Sequence, residues 1–98
     1  MYVNYQTYDQ GEEVLLAACD KDVLGKTLEE GDIQLDVKEN FYGGQRINTD
    51  RLKRELKSCT IANLVGEKTV EAAIEIGFGS EEDIMKIEGI PHLQVVRL

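Results

Sequence analysis

Residues Tyr2 to Tyr8 alternate, with Val3, Tyr5 and Thr7 on one parity and Asn4 and Gln6 on the other, while Val14 to Cys19 are apolar on both. The first pattern predicts a half-exposed strand and the second a central one covered on both faces. Asp9-Gln10-Gly11-Glu12 supplies turn formers between them, so the pair is expected to form an antiparallel hairpin. Asp20 is placed to cap a short turn through Val23 and Leu24 that closes at Gly25. A second turn, Glu29-Glu30-Gly31-Asp32, opens the cleanest alternation in the chain. Ile33, Leu35, Val37 and Phe41 share one face, and Gln34, Asp36, Lys38, Asn40 and Tyr42 share the other, which predicts a third strand with one wet face.

Gly43-Gly44 ends that strand, and Asn48 or Thr49 then starts a helix with Leu52, Leu56 and Cys59 on one side and Lys53, Arg54 and Lys57 on the other. From Ile61 to Ile76 a second helix is expected. At 100° per residue Glu67, Lys68, Glu71 and Glu75 fall in one narrow band, and apolar residues fill most of the rest. Gly66 then lies mid-helix, at about 1 kcal/mol of lost propensity, and marks a close approach of another backbone. Gly77 stops the helix, Ser80 and Asp83 resemble a capping box, and Met85 to Ile87 and Leu93 to Leu98 read as two last strands split by Gly89-Ile90-Pro91. The order β-β-β-α-α-β-β lacks a βαβ rhythm. It predicts one α+β domain over residues 1–98, a mainly antiparallel sheet of about five strands against two helices.

Charge changes this picture in one place. Lys38, Arg46, Arg51, Lys53, Arg54 and Lys57 fall in one stretch of twenty residues with only Glu39, Asp50 and Glu55, so that stretch is net +3 in a chain of net charge −8. The remaining residues hold 5 basic and 16 acidic side chains. An acidic body with one basic segment points to a partner at that segment. Lys38, Arg46, Lys53, Arg54 and Lys57 are suited to hold phosphates while Tyr42 stacks on a base, the combination that single-stranded nucleic acid uses. Against this stands the solvated helix face that a charge run usually means. The Gly43-Gly44 loop before a helix start has the makings of an anion cradle, but it matches no phosphate-binding motif and Asp50 stands where the anion would sit, so a tight turn needing positive φ is the plainer account.

Other chemistry is sparse. Cys19 and His92 are the residues from which a thiolate–imidazole pair would be built, with Asp20 adjacent as an orienting acid, yet a thiol ending a central apolar strand is more often packing than nucleophile. Two cysteines far apart and one histidine signal neither a disulfide framework nor a zinc site. The clusters Glu29-Glu30-Asp32 and Glu81-Glu82-Asp83 lack the spacing of a calcium loop, and no cofactor motif is present. Glu67, Glu71 and Glu75 form an i,i+4 ladder of like charges that faces either water or a basic partner. No apolar run approaches the roughly 20 residues of a membrane helix, which leads to the expectation of a cytoplasmic protein without a membrane role.

AACD at Ala17 to Asp20, FYGG at Phe41 to Gly44, TIANLVGE at Thr60 to Glu67 and PHLQVVRL at Pro91 to Leu98 resemble, in order and over nearly the whole chain, an archaeal family of unknown function, domain of unknown function family 424. The resemblance implies a single-domain intracellular protein of archaea and carries no functional residue across. The functional expectations from the residues themselves are therefore a binding module contacting RNA or a ribonucleoprotein through Lys38 to Lys57, a protein-interaction adaptor whose acidic surface meets a basic protein, or a small thiol-dependent enzyme.

Overall fold

The strands Tyr2–Gln10 (β1) and Glu13–Asp20 (β2) form the expected hairpin, paired from Gln10↔Glu13 to Val3↔Asp20. In the computed structural model, which describes residues 1–97, these strands are part of a six-stranded sheet with order Gln45–Asn48, β1, β2, Ile61–Val65, Ile90–Val96, Met85–Ile87. Gln45–Asn48 (β5) adds antiparallel to the outer side of β1, and Ile61–Val65 (β6) adds parallel to β2. Met85–Ile87 (β7) and Ile90–Val96 (β8) complete the sheet antiparallel to their neighbours. A separate two-stranded hairpin joins Thr27–Glu30 (β3) to Ile33–Asp36 (β4). Helices span Glu39–Tyr42 (α1), Thr49–Leu56 (α2) and Glu67–Glu75 (α3).

Alternation along the central strands divides the core in two. Leu16 and Ala18 with Ala62 and Leu64 face α2 and α3, where they meet Leu52, Leu56, Val70, Ala72 and Ala73. Ala17, Cys19 and Val65 face the opposite way, against Val23, Leu28, Val37 and Tyr42 from the β3–β4 hairpin and α1. The protein is thus an α+β sandwich of three layers with the sheet in the middle.

Two expected elements are corrected. The helix expected from Ile61 to Ile76 is a strand followed by a helix. A parallel strand buried on both faces is apolar at every position, and periodicity alone does not separate it from a buried helix. Gly66 is the break between the two, at φ 110°, ψ 154°, a conformation open essentially to glycine alone. The long third strand is corrected as well: β4 ends at Asp36, and the Tyr42 amide donates to the Lys38 carbonyl at 2.9 Å as the chain turns into α1. That turn carries Tyr42 from the expected wet face into the second core, where 4% of it is exposed. The short strands β3 and β5 were not predicted, and they raise the strand count beyond five.

Asp20 does not cap the 3-10 turn that follows it. Its carboxylate crosses to α3 instead, accepting from the Lys68 amide at 3.1 Å, the Thr69 amide at 2.9 Å and the Thr69 hydroxyl at 2.8 Å. It therefore does for α3 what an N-cap side chain does for its own helix, from 48 and 49 residues away in sequence. A β-carbon on Gly66 would lie 2.4 Å from Asp20 Cγ, so the strand-to-helix turn and the cap share one tightly filled space.

Candidate functional site

The basic segment does not form one surface. Lys38 begins α1 on the hairpin side of the sheet, and Arg46 points the same way from β5, because its neighbour Ile47 is in the core beneath α2. The Arg46 guanidinium lies 5.4 Å from the centre of the Tyr2 ring. Lys53, Arg54 and Lys57 are on α2, across the sheet. Lys53 is paired with Glu75 of α3, and Arg54 and Lys57 extend from the helix's carboxyl-terminal end, where cations complement the dipole. Tyr42, expected to stack on a base, is enclosed beside Cys19, and burial pushes its phenol up to about 12.

The Gly43-Gly44 loop is packed closely against the chain's own atoms. A β-carbon on Gly44 would fall 2.2 Å from Gln6 Oε1, and one on Gly43 would fall 2.9 Å from the Glu39 carbonyl oxygen. These glycines let the chain approach itself, and neither has a positive φ, which corrects the expected turn that needs one. The start of α2 is already capped, since Asn48 Oδ1 accepts the Arg51 amide at 2.8 Å.

A basic corner that sequence order hides brings Lys57 and Arg97 together around a hollow of about 150 Å³, with Ile76, Gly77, Phe78, Gly79 and Val95. Arg97 lies 5.2 Å from the centre of the Phe78 ring. The carboxyl ends of α2 and α3 both reach this corner, where positive charge complements the helix dipoles.

Cys19, Val65 and His92 share one rung of the sheet, in that order across β2, β6 and β8. Two strand spacings, about 10 Å, therefore separate Cys19 from His92, with Val65 between them. The thiolate–imidazole pair is not formed. Burial, with Asp20 and Asp22 adding to it, pushes the Cys19 thiol up to about 12, and burial lowers the His92 pKa. Cys59, also a buried free thiol, is pushed up to about 11 by burial. Cys19, Cys59 and Tyr42 therefore keep their protons more firmly in the folded chain. Stability from Cys19, Cys59 and Tyr42 is thus complete below about pH 9 and lost as pH rises toward 12. Denaturant titrations at pH 8 and pH 10.5 are expected to show a lower midpoint at the higher pH, and native Cys19 is expected to resist alkylation at pH 8.

The acidic residues are arranged more purposefully than their sequence suggests. Glu88 has φ 54°; its carboxylate accepts the Glu29 amide at 2.7 Å, and its own amide donates to Glu30 at 2.8 Å, fastening the β3–β4 hairpin to the β7–β8 turn. Among the described residues no group of three or more His, Cys, Asp or Glu could hold a metal ion, and no helix is long and apolar enough to cross a membrane.

On the other face, a groove of about 560 Å³ runs between α3 and the β7 end of the sheet. Glu67, Val70, Glu71 and Ile74, successive members of one helical stripe, make its first wall. Ile84, Lys86 and Pro91 form the opposite side, turned toward the helices by the same parity that buries Leu93, and Glu81 stands at the rim. Val70 and Pro91 are buried and Ile74 and Ile84 are half-buried, so an apolar floor is edged by three carboxylates and one ammonium. Two of the three members of the like-charged ladder seen in the sequence, Glu67 and Glu71, are this edge; Glu75 turns instead to Lys53.

Fold and surface together define a small α+β protein with a mostly antiparallel six-stranded sheet, helices on both faces and an acid-edged groove at one end. A family model described as Protein of unknown function (DUF424) matches residues 8–98, and the chain belongs to that family. Its structure is similar to the crystal structure of an uncharacterized conserved protein from Methanopyrus kandleri, with TM-score 0.80 and 26% sequence identity over 100% of this chain and 95% of that one. No curated protein matches. Two of the segments that carry the family resemblance, Ala17–Asp20 and Thr60–Glu67, are the parallel neighbours β2 and β6, joined at their ends by Asp20 and Gly66.

Proposed function

We propose that this protein is a protein-interaction module that receives a basic, apolar-anchored segment of a partner protein in the groove between α3 and β7. The observation that supports this most is the groove's composition, with Glu67, Glu71 and Glu81 around a floor of Val70, Ile74, Ile84 and Pro91. Apolar contacts at the centre supply binding energy, and the carboxylates at the rim select a cation-bearing partner and steer its approach. An RNA contact through Lys38 to Lys57 has less support, because the sheet divides those cations, Lys53 is paired and Tyr42 is enclosed.

Co-purification from the producing cells, with and without nuclease, separates the two. A partner retained after nuclease and lost on Glu67→Lys with Glu71→Lys is the expected result. A complex that nuclease removes, and that Arg54→Glu with Lys57→Glu abolishes while the groove variant leaves it intact, would put the RNA reading in its place.

A further inference from the structure

The helical layer of this sandwich stops short of the sheet it covers. Six strands span about 24 Å across their ladder, whereas two helices packed at 8–10 Å cover roughly 20 Å. Helix α2 packs by β5, and α3 packs on β2, β6 and β8, so the uncovered part is the β7 end, where the groove is found. Resting on the protein-interaction reading above, we infer that the occupant of this groove is a basic amphipathic helix that lies beside α3 as the missing third member of the layer.

Charge and spacing both select that occupant. Glu67 and Glu71 are one turn apart on α3, as are Val70 and Ile74, so the wall presents an acidic row beside an apolar row with the same i,i+4 repeat. A helix with basic residues four apart on one flank and apolar residues four apart on the next meets both rows at once. An added strand does not. It would pair along the edge of β7, in the plane of the sheet, and β7 offers only the three residues Met85–Ile87 for such pairing. From there its side chains would not reach the carboxylates on α3, which stand a layer above.

The test uses two acetylated, amidated peptides of about fourteen residues, both made of Leu and Lys in equal proportion to each other. One is L-K-K-L-L-K-L-L-K-K-L-L-K-K, which places its leucines on a helical stripe, and the other alternates L-K throughout, which places them on one strand face. Each is titrated into the ¹⁵N-labelled protein by NMR, with circular dichroism of the same mixtures. The helix-period peptide is expected to bind at least about tenfold more tightly, to gain helical signal, and to shift the amides of α3 and of Ile84 to Pro91. Glu71→Lys, an exposed substitution, is expected to weaken it about tenfold, whereas Glu12→Lys, the same charge change on the distant β1–β2 turn, is expected to leave it within twofold. Tighter binding of the strand-period peptide, with the shifts on the β7 edge, would overturn the helix and leave the groove as a protein site. Binding of neither peptide, or binding that Glu12→Lys weakens as much as Glu71→Lys, would overturn the groove itself.

Discussion

Gly66→Ala is expected to destabilise the protein by about 2–6 kcal/mol, lowering the melting temperature by roughly 10–30 °C in a thermal unfolding scan. Two costs combine at this position. The backbone conformation, φ 110° and ψ 154°, admits a side chain only with strain of about 1–3 kcal/mol. The new methyl would also stand 2.4 Å from Asp20 Cγ, inside the contact that caps α3, where overpacking costs about 1–3 kcal/mol more. Read as a mid-helix residue, the same glycine predicts a loss of about 1–3 kcal/mol for Gly66→Val and a gain of helix propensity for alanine. A melting temperature unchanged or raised by Gly66→Ala would show that the strand-to-helix junction is wrongly described.

Asp20→Ala is expected to cost about 3–4 kcal/mol, because it leaves the amides of Lys68 and Thr69 and the buried Thr69 hydroxyl without their charged acceptor. Asp20→Asn keeps one acceptor oxygen and is expected to cost about half as much. Hydrogen exchange at Lys68 and Thr69 checks the site of the damage, since their protection depends on this cap. The two substitutions should also be non-additive. Removing the Asp20 side chain removes what Gly66→Ala would strike, so the double variant is expected to be about 1–2 kcal/mol more stable than the sum of the single losses predicts. Strict additivity would mean that the two positions do not share a space.

The β1–β2 hairpin is legible because its strands carry the two clearest signals, alternation at Val3, Tyr5 and Thr7 and a run apolar on both parities at Val14 to Cys19. The cap at Asn48 was legible because its partner, Arg51, is three residues away. What escaped depends on distant partners. β6 acquires its identity from β2 on one side and β8 on the other, and without them Ile61 to Val65 reads equally well as buried helix. The four residues of β5 hold their place through β1, not through a pattern of their own. The site shows the same division. Glu67 and Glu71 were visible as a repeating row with a basic partner among its possible meanings, but the opposite wall comes from Ile84, Lys86 and Pro91, which only the β7–β8 hairpin sets facing α3. The basic segment is contiguous in sequence but not in space, because a sheet runs between its two halves.

At nine residues, α3 is too short to hold its shape as an isolated helix in water. Its leading amides are tied to Asp20, and its position follows from β6, which docks only after some forty intervening residues have been laid elsewhere. The helix therefore exists as a consequence of the assembled sheet, and the wall it gives the groove appears and disappears with global folding. Any molecule that occupies the groove draws its binding site from the folded population alone, so occupancy is read out as protection of the entire chain: at a hundred times its dissociation constant a ligand adds about 2.7 kcal/mol to the unfolding free energy. Resistance to proteolysis or heat, in strands far from the groove, becomes a gauge of whether the groove is occupied.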